Sequence, residues 1–366
     1  MSQFHRLPIV LVLLTVLAVL VIHELNKNIV ADQQTAPLQL VQLNEIKNSP
    51  VEETPSVNYA VFGCNTPNGA SYRSYDYAFN LPLTALAWER LGFRSVVLII
   101  GSRCEWENDP ALSTILSHLE DRQTTIIFIE APPEQRPKLS QTARPFTVNL
   151  PGFPGKDNDF LITSDSDLWP LRKEHYMPQP NKKIVLVHSQ CCGFFQFNNK
   201  SYPMYPMSNI GATVATWRQA MNDNHSIAYD ADTILNYLED VFGDMARGPL
   251  IIGKPTWYMD QRVTSIRLTE WMAKYGDGSV HRVSDVGFYR LDRSYWDVAN
   301  MSQANFSLKF DTHLPLKMYL PTNWDRMRPL LYLMYGRESS QAKWCDDYAR
   351  KFLSRVGNYM SFSFLG

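Results

Sequence analysis

The chain has 366 residues, enough for one large domain or two small ones with appendages. Its 45% hydrophobic and 19% charged content is that of an ordinary packed core, not of a disordered chain. A formal net charge of −1 leaves no global field to recruit nucleic acid or an anionic membrane surface, so no nucleic-acid partner is expected.

The first element is an uncharged run, LPIVLVLLTVLAVLVI (Leu7–Ile22), behind Met1–Arg6. Sixteen helical residues span about 24 Å, close to the roughly 27 Å of early secretory membranes. A cleaved signal peptide has an equally short apolar region, but HELNKNIVAD offers no small-x-small cleavage site. The expectation is an uncleaved type II signal anchor over residues 7–23, with residues 1–6 cytosolic and the remainder lumenal. Arg6 before the span and Lys27 after it make the orienting charge bias weak. Residues 24–56 are polar, lack aromatics and read as a flexible stem, leaving 57–366 as one domain.

Two further features agree with a lumenal body. Asn-x-Ser acceptor tripeptides begin at Asn199, Asn224, Asn300 and Asn305. The five cysteines, Cys64, Cys104, Cys191, Cys192 and Cys345, lack the CxxC spacing of a zinc site and would form at most two bridges. Sequence does not give the pairing, and the adjacent Cys191 and Cys192 are not expected to bond to each other.

Within the domain, VNYAVFGCN (Val57–Asn65) reads as a first strand. Tyr75–Gly92 has helical spacing of Leu83, Leu86, Ala87 and Trp88, with Pro82 at its start or at a kink. RSVVLIIG (Arg94–Gly101) is continuously apolar, as in a strand buried on both faces. Asp109–Arg122 begins a helix on Asp-Pro, and Thr124–Glu130 is the next strand. DFLITSD and KKIVLVHSQ (Lys182–Gln190) follow, and FFQFNNKSYPMYPM suggests a hairpin or loop. NIGATVATWRQAMND, DADTILNYLEDVFGD, Thr256–Gly276, Asn323–Gly336 and CDDYARKFLSRVG read as helices. The βαβ alternation predicts an α/β domain with a mostly parallel sheet flanked by helices.

The chemistry concentrates in FLITSDSDLWPL (Phe160–Leu171), where an apolar strand ends in Asp165 and Asp167. In extended chain, residues i and i+2 face the same way. Two carboxylates ~4 Å apart repel by about 4 kcal/mol at an effective dielectric of about 20, and a divalent cation reverses that sign. Oxygen ligands suit Mg²⁺ or Mn²⁺, which retain waters and bind substrate phosphates. The bland alternative is a turn with two solvated acids.

A DxD triplet ending a buried strand, behind an anchor and a stem, resembles the type II Golgi glycosyltransferases of GT-A fold. The resemblance implies a GT-A-like (Rossmann-type) sheet and Mn²⁺ or Mg²⁺ bridging the DxD to a nucleotide-diphospho sugar. Asp165 would meet the ribose or the metal, and Asp167 the metal. It implies a hexosyl- or N-acetylhexosaminyl-transferase acting on a glycan or glycoconjugate acceptor. Asn65, Arg73 and Tyr75, after the first strand, would contact the nucleotide, and Arg103 a phosphate. Asp260 in WYMDQ would bind the sugar or act as general base, unless it merely caps the next helix. His313 in DTHLPL would be a third metal ligand, or simple polar surface. His188 and His281 are weaker choices. Trp217, Trp257, Trp271, Tyr202 and Tyr205 offer an acceptor platform or, more simply, core. The rival reading is a non-catalytic lumenal carbohydrate-binding protein on the same fold; no GxSxG or HExxH motif supports a hydrolase.

Overall fold

The computed structural model describes residues 56–67, 75–221, 228–283 and 289–362, with side chains to 356. The expected tail, the anchor and all but the last residue of the stem lie outside the described residues, as do Arg73 and Asn224. Among the described residues, no helix is long and apolar enough to cross a membrane.

The strands run β1 (Asn58–Asn65), β2 (Arg94–Ile100), β3 (Thr125–Ile129), β4 (Phe160–Thr163), β5 (Leu168–Pro170) and β6 (Ile184–Val187). They continue as β7 (Phe194–Phe197), β8 (Lys200–Pro203), β9 (Ile210–Thr213), β10 (Val280–Val283), β11 (Arg290–Leu291) and β12 (Asp311–His313). Seven form one sheet in the order β10-β6-β9-β4-β1-β2-β3. β9 runs antiparallel to β4 and β6, and every other pairing in that sheet is parallel. The expected mixed α/β architecture with a mostly parallel sheet is therefore present. From β1 the chain moves outward to β2 and β3, then returns to β4 on the other side of β1. That reversal is a topological switch point, the place where open α/β sheets bind ligands beyond the carboxyl ends of their strands.

Helices cover both faces: α1 (Asp76–Glu89), α2 (Arg103–Asn108), α3 (Pro110–Asp121), α4 (Arg136–Thr142) and α5 (Val214–Met221). Then come α6 (Ala231–Phe242), α7 (Met259–Tyr275), α8 (Gln303–Ser307), α9 (Pro321–Tyr335) and α10 (Ser340–Phe362). The period-two alternation of β1 splits the core in two. Ala60, Phe62 and Cys64 pack with α1, α3, α9 and α10, while Tyr59 and Val61 pack with α4, α5, α6 and α7. Asp109 caps α3, its Oδ1 accepting from Ala111 N at 2.8 Å and Leu112 N at 3.0 Å, as the Asp-Pro start predicts.

Three expectations are corrected. The helix read over NIGATVATWRQAMND is strand β9 first, and α5 begins only at Val214, where Thr213 Oγ1 accepts from Thr216 N at 3.2 Å. β9 fits between its neighbours because Gly211 has no side chain: a Cβ there would lie 2.4 Å from Phe160 Cζ and 2.9 Å from Val185 Cγ1. Pro82 lies inside α1 instead of opening it, since the helix starts at Asp76. Cys191 and Cys192 are bonded to each other, in a turn just past β6 closed by Cys191 N to His188 O at 3.1 Å. Cys64, Cys104 and Cys345 are free thiols, the first and last buried.

Candidate active site

The DxD loop leaves β4 at the switch point and is fastened from below by α1. Ser164 N extends the ladder to Val61 O at 2.7 Å. Ser164 Oγ accepts from Trp88 Nε1 at 3.2 Å, and Ser166 O accepts from Thr84 Oγ1 at 2.6 Å. Thr84 Oγ1 in turn accepts from Trp169 Nε1 at 3.0 Å. Two buried polar groups of the loop, Ser164 Oγ and Ser166 O, thereby find partners on α1, on either side of Asp165.

The late histidine is delivered by a second, three-stranded sheet, β11-β12-β5. β12 runs antiparallel to β5 with His313 opposite Leu168, and Leu314 N donates to Asp167 O at 2.8 Å. This register places His313 Nε2 3.5 Å from Asp167 Oδ2. On the other side of the ring, Nδ1 faces Asp292 Oδ2 at 3.4 Å. Both ring nitrogens therefore face carboxylate oxygens, which only accept, so each contact is favourable when the nitrogen facing it carries a proton. The guanidinium of Arg293 lies between Asp167 and His313: its Nη2 donates to Asp167 Oδ2 and contacts His313 Nε2. Burial pushes the pKa of Asp167 upward, but His313 and Arg293 outweigh it and hold the carboxyl below its ordinary range.

Asp165 meets a different partner. Arg144, buried in the turn after α4, donates to Ser164 O at 2.9 Å, to Asp165 Oδ1, and to Asp260 Oδ2 at 2.9 Å. Two carboxylates recognisable by residue type are thus brought together by one guanidinium. Asp260 lies in the first turn of α7; the N-cap is Tyr258, which makes no side-chain cap bond. Burial drives the Asp260 pKa up to about 6, against the pull of Arg144. Asp76 and the half-exposed Tyr77, on the first turn of α1, lie within electrostatic range of Asp167 and Arg293.

The remaining expected residues divide. Asn65 ends β1 at the switch point, its Nδ2 donating to Thr66 O at 3.0 Å. Tyr75 is packed inward, its hydroxyl donating to Asp109 Oδ2 at 2.8 Å and its ring edge on Phe352, so it offers no open face for a base. Arg103 is exposed and pairs with Glu120 at 3.0 Å and Glu107 at 3.5 Å. His188 is core: its Nε2 sits 2.7 Å from Asp311 Oδ2, and Arg290 grips the same carboxylate at 2.8 and 2.7 Å. His281 lies half-buried in β10. Trp217, Trp271, Tyr202 and Tyr205 are buried, as the core alternative holds, and Trp257 is half-buried.

The donor set suits a divalent cation as a half-site. Among the described residues, no group of three or more His, Cys, Asp or Glu side chains could hold a metal ion by itself. Adjacent ligands on an octahedron with bonds of about 2.1 Å lie roughly 3 Å apart. Asp167 Oδ2 and His313 Nε2, at 3.5 Å, approach that spacing. Asp292 behind the ring stands where an outer-shell carboxylate would orient the imidazole if His313 held a metal. Remaining vertices would fall to phosphate oxygens and water, the usual habit of Mg²⁺.

No family model matches the sequence, and no curated protein does. Among solved structures, a glycosyltransferase involved in glycosylation of the major capsid of PBCV-1 aligns with a TM-score of 0.29 and 10% identity, over 80% of this chain and 98% of that one. The 4-diphosphocytidyl-2C-methyl-D-erythritol synthase of Anaerococcus prevotii aligns with a TM-score of 0.27 and 12% identity, over 57% and 98%. Likeness at this level carries no functional weight, and the chemistry has to be read from the side chains.

Arg144, Arg293, Asp292 and Thr84 escaped the sequence reading. Their neighbourhoods, TARPF, LDRSYW and PLTAL, carry no motif. Only the Asp-x-Ser spacing of Asp292 and Ser294, a turn cap with Ser294 N 2.9 Å from Asp292 Oδ1, was visible locally.

Proposed function

We propose that this chain is a metal-dependent glycosyltransferase of GT-A-like fold that moves a sugar from a nucleotide-diphospho donor to a glycan or glycoconjugate acceptor. One observation carries the reading. The DxD carboxylates leave the carboxyl end of β4 at the switch point, and β12 returns His313 beside Asp167. A bound Mn²⁺ or Mg²⁺ would supply Lewis-acid neutralisation of the departing diphosphate. Asp167 and His313 are the side chains that would hold it, with Asp292 fixing the imidazole tautomer. Asn65, at the carboxyl end of β1, would meet the nucleotide. Asp260, raised to about 6, titrates where a general base for an acceptor hydroxyl works near neutral pH. In a retaining reaction it would instead orient the sugar. The cellular setting that goes with this reading is the Golgi membrane, with the catalytic domain lumenal and residues 7–23 as anchor.

The rival, a carbohydrate-binding protein without turnover, is favoured by one feature: arginines already neutralise both DxD carboxylates. The deciding experiment incubates the full-length chain with a panel of nucleotide-diphospho sugars, in Mn²⁺ and in chelator, beside Asp167→Asn. Chelator-sensitive binding and turnover of one donor, lost in D167N, is the expected result. Glycan binding that ignores both chelator and D167N would establish the rival, and no response to any donor would sink the transferase.

A further inference from the structure

The Asp167–His313 half-site already holds a cation. Arg293 Nη2 contacts both the carboxylate oxygen and the imidazole nitrogen between which a divalent ion would sit. The two positively charged species cannot share that point, because the guanidinium would meet a doubly charged ion at contact distance. Removing Arg293 without replacement is equally unfavourable, since Asp167 is 5% exposed and would be left as an uncompensated buried charge. Arg293 itself is weakly tethered. It opens a three-residue turn, Arg293–Tyr295, and its buried Nε has no partner among the described residues. The side chain is held at its tip.

We propose that Arg293 is an exchangeable counter-cation. It neutralises Asp167 while the site lacks metal, a divalent ion displaces it, and the displaced guanidinium becomes a ligand of the donor's diphosphate. The proposal rests on the nucleotide-diphosphate reading above and adds a consequence. Metal alone binds weakly because it must expel an internal cation with nowhere to go. Diphosphate supplies the anion that receives it, so metal and nucleotide each tighten the other. Arg is suited to this double duty, since its planar fork matches carboxylate and phosphate equally.

The test measures Mn²⁺ binding to the full-length chain by calorimetry or by loss of the free-ion electron paramagnetic resonance signal, alone and with UDP, GDP or CDP. Wild type should bind Mn²⁺ alone weakly and about 10-fold or more tightly once a nucleoside diphosphate is added. R293A and R293Q should bind Mn²⁺ alone about 10-fold more tightly than wild type and lose most of the nucleotide-dependent gain. R293K should restore the weak metal-only binding. Circular dichroism of the two neutral variants confirms the fold; having two guards against one failing. If neutral variants bind Mn²⁺ alone no more tightly than wild type, the exchange is overturned while the donor-site reading stands. If no nucleoside diphosphate binds wild type in Mn²⁺, the donor-site reading falls and takes the exchange partner with it.

Discussion

Arg144 Nη2 donates to Asp260 Oδ2 at 2.9 Å while Nη1 of the same guanidinium donates to Asp165. Residues from the turn after α4, the DxD loop and the start of α7 are thus tied through one buried side chain. Burial alone would lower the pKa of Arg144, and Asp165 and Asp260 more than reverse that. Arg144→Met leaves Asp260 buried without its cation, a change that costs about 3–5 kcal/mol. Urea denaturation at pH 8 should show this loss. Protonation of Asp260 removes the orphan charge, so the deficit should shrink toward pH 5. Arg144→Lys, which cannot fork, should recover only part of it.

Asp260 should make stability and, if it is the base, turnover depend on pH in opposite directions. Its folded pKa, about 6, lies above the ordinary carboxyl value of 3.8. The folded state therefore binds the proton more tightly, and the contribution is fully present below about pH 3.8 and lost as pH rises through about 6. The total is on the order of 3 kcal/mol. Denaturation of wild type between pH 4 and 8 should carry that slope, and Asp260→Asn should flatten it. Transfer, if Asp260 is the base, should rise over the same window as the carboxylate forms, and D260N should lower turnover roughly 10²–10⁴-fold. A D260N enzyme that keeps full turnover removes Asp260 from the chemistry.

Asp292 touches no predicted ligand except through His313. Its carboxylate fixes the ring so that Nε2 points at Asp167. Asp292→Asn should weaken Mn²⁺ binding about 10–100-fold without abolishing it. His313→Ala removes a ligand and should cost more. Equal Mn²⁺ affinity in D292N and wild type would show that the ring needs no orienting partner.

The strand run of the sheet was legible because β1, β2, β4 and β6 are short, largely buried apolar runs and the half-buried edge strand β3 is equally apolar. β9 was not, because Asn209–Thr213 continues without a break into a helix and owes its strand form to two flanking strands. Asp165, Asp167 and His313 were legible by residue type, and a strand followed by DxD marks a carboxyl end. The arginines were not. Arg144 lies 21 positions from Asp165 and 116 from Asp260, and Arg293 lies 126 from Asp167. Nothing periodic links them; they meet only through the tertiary fold. Extended i and i+2 geometry lets both carboxylates approach one ion unless the turn leaves only one as a direct ligand, and the turn here sends the two carboxylates to different arginines.

The lumenal assignment has its own consequence. Asn199, Asn300 and Asn305 are exposed, and Asn199 sits at the turn between β7 and β8. Expressed in a secretory host, the chain should lose mass on treatment with peptide N-glycosidase F, and Asn→Gln at these positions should remove that shift stepwise. Unmodified protein would count against a lumenal body.

Thr84 tests whether the loop's fastening matters to the site. Its hydroxyl is buried, donates to Ser166 O at 2.6 Å and accepts from Trp169 Nε1 at 3.0 Å. Thr84→Val has nearly the same shape but orphans a carbonyl on one side and an indole N–H on the other. Each unsatisfied group costs about 1–3 kcal/mol, so T84V should lose roughly 2–6 kcal/mol in urea denaturation, while Thr84→Ser should stay close to wild type. Ser166 lies between Asp165 and Asp167, so freeing its carbonyl loosens both. T84V should therefore weaken Mn²⁺-dependent donor binding at temperatures where the protein remains folded. If stability falls and donor binding does not, the carboxylates are positioned by Arg144 and Arg293 alone, and α1 serves the core without serving the site.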